Sequence, residues 1–159
     1  MNLQTLYDAN IKLLKSLNIN FRECTHEPVL SYEAAAKVRQ KFGLTGVESK
    51  NLFLKAKGGG YFMLVTIEGK RADFEKLKEL LGSKVSVAGQ EELKEKTGCE
   101  PYCAIPFGFG KEIGIIVDSG IFMHEKFIYS LGPPEKTIEI ETKDINKILG
   151  ALVNKIIRI

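Results

Sequence analysis

Apolar residues recur along the chain in two alternating rhythms. Leu3, Leu6, Leu13, Leu14 and Leu17 fall near helical spacing, which predicts an amphipathic helix over residues 2–18 ending at Asn18–Asn20. Phe21–Thr25 reads as a short strand. Ser31 is a suitable N-cap for a helix through Ala34, Ala35, Ala36 and Val38, which Gly43 and Gly46 interrupt. Asn51–Ala56 and Tyr61–Ile67 then form two strand-like runs around the turn Gly58-Gly59-Gly60. The second run is almost wholly apolar, as expected of a central strand covered on both faces.

Further on, Phe74, Leu77, Leu80 and Leu81 share one face of a helix over 73–81. Residues 84–88 read as a strand and residues 90–97 as a short charged helix. Gly98–Gly110 is irregular, rich in Gly, Pro and aromatic residues. Ile113–Val117 is a buried strand ending at Asp118. Phe127–Leu131 and Thr137–Ile140 pair across Gly132-Pro133-Pro134-Glu135, and Thr142 caps a last helix carrying Ile145, Ile148, Leu149 and Leu152. Hairpins mixed with helices give an α+β class with a mixed, mainly antiparallel sheet.

The 159 residues fit one domain over 1–159, long enough to bury a core without staples. No apolar run is of membrane-spanning length, so no membrane partner is expected. The start Met1-Asn2-Leu3-Gln4-Thr5 lacks the pattern of a signal peptide, which makes the cytoplasm the expected location. The three cysteines, Cys24, Cys99 and Cys103, are too few and too odd in number for a disulfide framework. A net charge of +3 permits contact with nucleic acid without predicting it.

Four ordered stretches carry a more specific signal: Thr25-His26-Glu27-Pro28 with Ser31-Tyr32-Glu33-Ala34-Ala35; Lys50-Asn51-Leu52-Phe53-Leu54; Thr97-Gly98-Cys99-Glu100-Pro101 leading to Pro106-Phe107-Gly108; and Tyr129-Ser130-Leu131-Gly132 before Thr137-Ile138-Glu139-Ile140. Together they resemble the YbaK/ProX family, the prolyl-tRNA editing or INS domain, over roughly residues 20 to 150. The resemblance implies a partly closed, barrel-like mixed sheet flanked by helices. It implies hydrolysis of the ester joining a wrong, small amino acid, such as Ala or Cys on proline tRNA, to the tRNA 3′ end. It implies no metal and no organic cofactor. Aminoacyl-tRNA is the implied partner, and an aminoacyl-tRNA synthetase is a further candidate. The family's functional lysine falls on Lys50. One position departs: where the family loop has Gly four residues before its Pro, this chain has Tyr102 before Pro106. Either the loop shifts to use Gly98 or Gly108, or the pocket is altered.

An aminoacyl ester is activated, so its hydrolysis needs a placed water and a donor for the developing oxyanion. Lys50 can donate to an ester or phosphate oxygen. The remaining candidates for substrate contact are His26, Tyr102, Cys103, Ile105, Pro106, Phe107, Gly108, Ser130 and Gly132, with Phe107 expected at the pocket wall. His26 can orient water or the terminal ribose, or simply hold its own loop. His124 reads as surface and Asp118 as a turn cap. Lys37, Arg39, Lys41, Lys55 and Lys57 can meet phosphates or be plain solvated lysines and arginine. The alternatives to an editing hydrolase are a non-catalytic tRNA- or synthetase-binding module and a zinc or thiol enzyme. The last would use Cys24, His26, Cys99 and Cys103 as ligands, or Cys103 with His26 as nucleophile and base. Cys24 is expected in the core.

Overall fold

The computed structural model describes every residue from Met1 to Ile159. Helix α1 (Leu3–Ser16) starts at Asn2, whose side chain accepts from the Thr5 N–H while the Asn2 N–H donates back to the Thr5 hydroxyl. This reciprocal cap satisfies two groups that a helix end leaves without partners. Leu6, Asn10 and Leu14 are its buried stripe. Strand β1 (Phe21–Thr25) follows, and α2 (Tyr32–Phe42) begins at Ser31, whose hydroxyl accepts from the Ala34 N–H.

Strands β2 (Val47–Ala56) and β3 (Tyr61–Ile67) form the expected hairpin. Then come α3 (Phe74–Leu81), β4 (Val85–Val87), α4 (Gln90–Thr97), β5 (Ile113–Val117), β6 (Lys126–Tyr129), β7 (Lys136–Glu141), α5 (Ile145–Ala151) and β8 (Ile156–Arg158). The sheet order is β1-β7-β6-β2-β3-β5-β8, with β4 attached to β2. Pairs β1–β7, β7–β6, β2–β3 and β2–β4 are antiparallel; β6–β2, β3–β5 and β5–β8 are parallel. The α+β class with a mixed, mainly antiparallel sheet is therefore the observed one.

Strand β2 holds the two halves of this sheet together. Ser49–Lys55 pair with β3 along one edge. On the other edge, Val47 and Glu48 pair with Phe127 and Ile128 of β6, and Leu54–Ala56 pair with β4. Between those two partners the edge of β2 has no strand beside it.

The pattern placed the start of this strand at Asn51, but it begins at Val47. Glu48, Ser49 and Lys50 carry no strand-like alternation, and tertiary partners impose the conformation. The buried Glu139 carboxylate accepts the N–H groups of Thr45 and Gly46, and this aims the chain along β6. Strand β8 was not legible either. It completes the free edge of the fully buried β5, helped by Asn154, whose Nδ2 donates to the carbonyls of Gly110 and Ile113. Thr142 does not cap α5. Its hydroxyl donates instead to the carbonyls of His124 and Glu125.

The core lies on both faces of β3, as its apolar run predicted. Met63 and Val65 point to the larger core with Leu6, Leu14, Ile115, Phe107, Phe127, Tyr129 and Ile148. Leu64 points the other way, with Leu54, Ile116, Val85 and Leu77 of α3. Each such fully buried side chain contributes about 1.5–3 kcal/mol. Cys24 is buried as expected, beside Leu44 and Ile128.

Tyr129 is fully buried, and its hydroxyl has no hydrogen-bond partner. Burial alone pushes its phenol far above the usual range. An unmet buried hydroxyl costs about 1–3 kcal/mol, so Tyr129→Phe should raise stability by about 1 kcal/mol. Thermal unfolding of both proteins measures this; a clear loss of stability would mean that the hydroxyl is bonded in solution.

Candidate active site

The unpaired stretch of β2 opens into a cavity of about 330 Å³. Ser49 and Asn51 line it from the strand, Cys103 and Ala104 from the irregular segment, and Ser130 and Thr137 from the β6–β7 hairpin. Val29–Tyr32 and Ala35 cover it from the start of α2, while Pro101 and Tyr102 form part of the rim.

Asn51 ties the strand to the irregular segment. Its Nδ2 donates to the Ala104 carbonyl at 3.1 Å and to Ser49 Oγ at 3.2 Å. Both amide protons are thus committed, which fixes the side-chain orientation. Its Oδ1 is buried and without a partner. The Ala104 N–H makes no backbone hydrogen bond.

Cys103, Ser130 and Gly132 form a closed polar ring. Cys103 Sγ lies 3.0 Å from both Ser130 Oγ and the Gly132 carbonyl, and the Gly132 N–H donates to Ser130 Oγ. Gly132 has φ +135°, and a Cβ there would meet the Leu3 carbonyl oxygen at 2.7 Å, so the ring needs glycine at this corner. Burial pushes the Cys103 thiol up to about 11, against the bond from Ser130. At neutral pH it is a protonated donor, not a thiolate nucleophile.

His26 does not serve Cys103 as a base. Its Nδ1 is 2.7 Å from the Glu27 carbonyl and its Nε2 is 2.7 Å from Thr137 Oγ1, so both ring nitrogens are occupied. The ring reaches the cavity only through Thr137. No three of the His, Cys, Asp and Glu residues form a group that could hold a metal, so Cys24, His26, Cys99 and Cys103 are not a ligand set.

Glu48 also lines the cavity. Its carboxylate bonds Arg39 at 3.1 Å, and the same guanidinium lies 3.6 Å from Glu68. Burial pushes the Glu48 carboxyl up to about 7; the bond and charge of Arg39 pull it down, and the charge of Glu68 adds to the rise.

Several expected residues sit elsewhere. Ile105, Pro106 and Phe107 are buried in the core and do not line the cavity. Phe107 is fully buried, packing edge-on against Tyr129 at 5.8 Å, so it is not the pocket wall. Gly108 has φ +106° and lies against Asn10, whose Nδ2 donates to the Phe107 carbonyl; a Cβ at Gly108 would collide with that amide. Gly98 ends α4 at φ +82° beside Met1. Neither glycine borders the cavity. Tyr102 itself has no left-handed backbone, and its ring is 48% exposed at the rim. Tyr102 thus gives the cavity rim an exposed aromatic edge, and neither Gly98 nor Gly108 takes part in the lining.

Lys50 lies between Ser49 and Asn51 but does not line the cavity. Alternation along the strand turns it to the other face, where its Nζ donates to the Lys70 carbonyl at 2.9 Å. Asp118 caps the turn after β5 through the Gly120 N–H, and it also holds Lys70 at 2.6 Å and the Thr66 hydroxyl. Burial pushes its carboxyl up, but these bonds and the charge of Lys70 outweigh that and hold it below the usual range. His124 is exposed, as expected. Of the basic residues, Arg39 and Lys55 are taken by carboxylates, while Lys37, Lys41 and Lys57 are exposed.

The aminoacyl-tRNA editing domain model matches residues 26–148, which span every wall of this cavity. This chain belongs to the aminoacyl-tRNA editing domain family. The Multifunctional Ser/Thr-tRNA deacylase ProXp-y of Escherichia coli is 28% identical over 143 residues, covering 87% of this chain and 84% of that protein. Protein YwhH of Bacillus subtilis is 24% identical over 140 residues, covering 84% and 89%. Among solved structures, hypothetical protein APE2540 superposes with a TM-score of 0.78 at 21% identity, covering 92% of this chain and 97% of that one. A candidate trans-editing enzyme for prolyl tRNA synthetase gives 0.73 at 19% identity, covering 94% and 95%. The mixed, mainly antiparallel sheet, open where a partly closed one was expected, and its five helices match the fold of these proteins. The aminoacyl-tRNA deacylase class stands. No helix of the editing domain is long and apolar enough to cross a membrane.

Sequence reasoning took Lys50 from its motif and passed over the neighbours that line the cavity. Asn51 and Thr137 were readable only as strand residues, while Glu48 and Ser49 lay before the predicted strand. A period-2 rule applied to either side of Lys50 would have named Ser49 and Asn51.

A buried, protonated thiol does not react with iodoacetamide. Incubation of the folded editing domain at pH 7.5 should leave Cys103 unmodified by mass spectrometry; rapid, stoichiometric labelling of Cys103 would revive the thiol-enzyme reading.

Proposed function

We propose that this editing domain acts in trans, hydrolysing the ester of tRNA mischarged with a small amino acid, and that small hydroxylated side chains suit it best. The observation that carries this reading is the cavity itself. It is small, and its polar walls come from Ser49, Asn51, Ser130 and Thr137. A pocket at the low end of the range for small-molecule sites admits an aminoacyl group at the end of a tRNA, and rejection of larger side chains by its walls is the logic of a second sieve. Hydroxyl and amide walls favour a seryl or threonyl side chain, since a site built to bond a hydroxyl discriminates strongly against its absence. The deacylase named for Ser/Thr-tRNA among its relatives supports the same choice. Alanyl and cysteinyl esters on proline tRNA are the competing substrates.

In this reading the ester carbonyl faces the Ala104 N–H, a backbone donor of the cavity wall with no backbone acceptor. A water attacks the carbonyl carbon, the C–O bond to the terminal ribose breaks, and the free amino acid and tRNA leave. An added oxyanion donor contributes about 3 kcal/mol of transition-state stabilisation. Tyr102, exposed at the rim, offers a face on which the terminal base can stack. Lys50 starts from the middle of the open edge, and its ammonium is held only by one carbonyl. It is free to leave that carbonyl for an ester or phosphate oxygen of the bound 3′ end.

The decisive experiment is a panel of tRNAs charged with Ser, Thr, Ala, Cys or Pro and incubated with the purified protein. Release of Ser or Thr faster than of Ala or Cys is the expected result; release of none faster than in buffer sinks the enzyme reading. Binding of tRNA without release would leave the module reading in its place.

Lys50→Ala should lower kcat/KM about tenfold or more with thermal stability unchanged. A variant as fast as the parent removes Lys50 from the reaction.

A further inference from the structure

We infer that Glu48 receives the α-ammonium group of the aminoacyl moiety and makes the site selective for esters whose amino group is free. This rests on the deacylase reading above and adds to it the part of the substrate shared by every amino acid.

Glu48 and Glu68 share one guanidinium, that of Arg39, at 3.1 and 3.6 Å. The Glu48 side chain is only 15% exposed, so water compensates it poorly. Two carboxylates with one cation leave a deficit of positive charge, and Glu48 is the member of the cluster that lines the cavity.

The other charged and titratable groups nearby do not fill the deficit. Tyr32, from α2, stays a neutral phenol, because burial and the charges of Glu68 and Glu48 raise its pKa. Lys136 also borders the cavity, but its Nζ donates to Thr25 Oγ1 at 2.9 Å and lies 3.9 Å from Glu23. Lys50, two positions along β2 on the same face as Glu48, makes no ion pair with it; its Nζ is held by the Lys70 carbonyl. Burial pushes the Glu48 carboxyl up to about 7, so in the free protein a proton meets part of the deficit, and a cation entering the cavity is the partner that takes the proton's place.

An aminoacyl ester brings one: its ammonium sits on the carbon next to the ester carbonyl. Alternation along β2 gives Glu48 the face opposite to Ser49 and Asn51, yet all three line the one cavity, Glu48 at the end where β2 leaves β6. A group bound at Glu48 thus remains within the same cavity as the polar wall formed by Ser49, Asn51 and Ala104. A charge-assisted bond of this kind also fixes the carbonyl relative to that wall.

The test compares matched substrates on the intact protein: an aminoacyl-tRNA, the same species acetylated on its amino group, and the ester of the corresponding α-hydroxy acid. The parent protein should prefer the free amine by about tenfold or more in kcat/KM. Glu48→Gln should remove that preference by raising KM for the aminoacyl ester, with little change for the acetylated and hydroxy-acid esters. A variant slowed equally on all three has lost only structure, and that result overturns the inference. So does a preference that survives in Glu48→Gln.

Glu68→Gln provides a second arm should Glu48→Gln fold poorly. It gives Arg39 wholly to Glu48 and should shrink the preference; an unchanged preference overturns the inference. A parent protein that releases no charged amino acid sinks the deacylase reading, and this inference with it, whereas a working enzyme indifferent to acetylation sinks only the inference.

Discussion

The structure depends on the divided edge of β2. One edge is fully paired with β3, while the other is claimed at its start by β6 and at its end by β4. Strands that pair on both edges form a closed wall, with every backbone group satisfied within the sheet. Because β6 and β4 do not meet, the wall has a window five residues wide, from Ser49 to Phe53. The irregular segment closes most of it through the bond from Asn51 to Ala104, and what remains open is the cavity. The site is thus a consequence of sheet topology, not an addition to it.

The chemistry around that window is mostly ordered by bonds within the protein. Cys103, Ser130 and Gly132 satisfy one another, and His26 is spent on Glu27 and Thr137. Such committed groups shape a pocket without being reagents in it. The exceptions are the unpartnered Asn51 Oδ1, the Ala104 N–H and the under-compensated Glu48. Hydrolysis of an activated ester asks for little more than a held water and oriented donors. A site with few free groups is suited to that reaction, and the absence of a His–Cys pair is consistent with it.

Much of the fold was legible because burial writes itself into local pattern. The continuous apolar run of β3 announced a strand covered on both faces, and Met63 and Leu64 duly serve different cores. Ser31 and the glycine turn at residues 58–60 carried their own capping and turn chemistry. The site was less legible. Phe107 looked like a pocket residue because its loop is irregular, yet irregular backbone can be buried when groups such as Asn10 satisfy it. Lys50 was read from its motif, but its side chain lies off the cavity wall, since a single step along a strand exchanges its faces.

By itself the sequence determined the elements, their apolar faces, the α+β class and the ordered motifs shared with the editing family, because each depends on residues close together in the chain. Only the tertiary structure decided where β2 begins, that β8 exists, and which side chains meet at the window. Those outcomes depend on contacts between distant segments: Glu139 with Gly46, Asn154 with Ile113, Asn51 with Ala104, Arg39 with both Glu48 and Glu68. No local pattern encodes such pairings, because the free energy that selects them exists only once the sheet has brought the partners together.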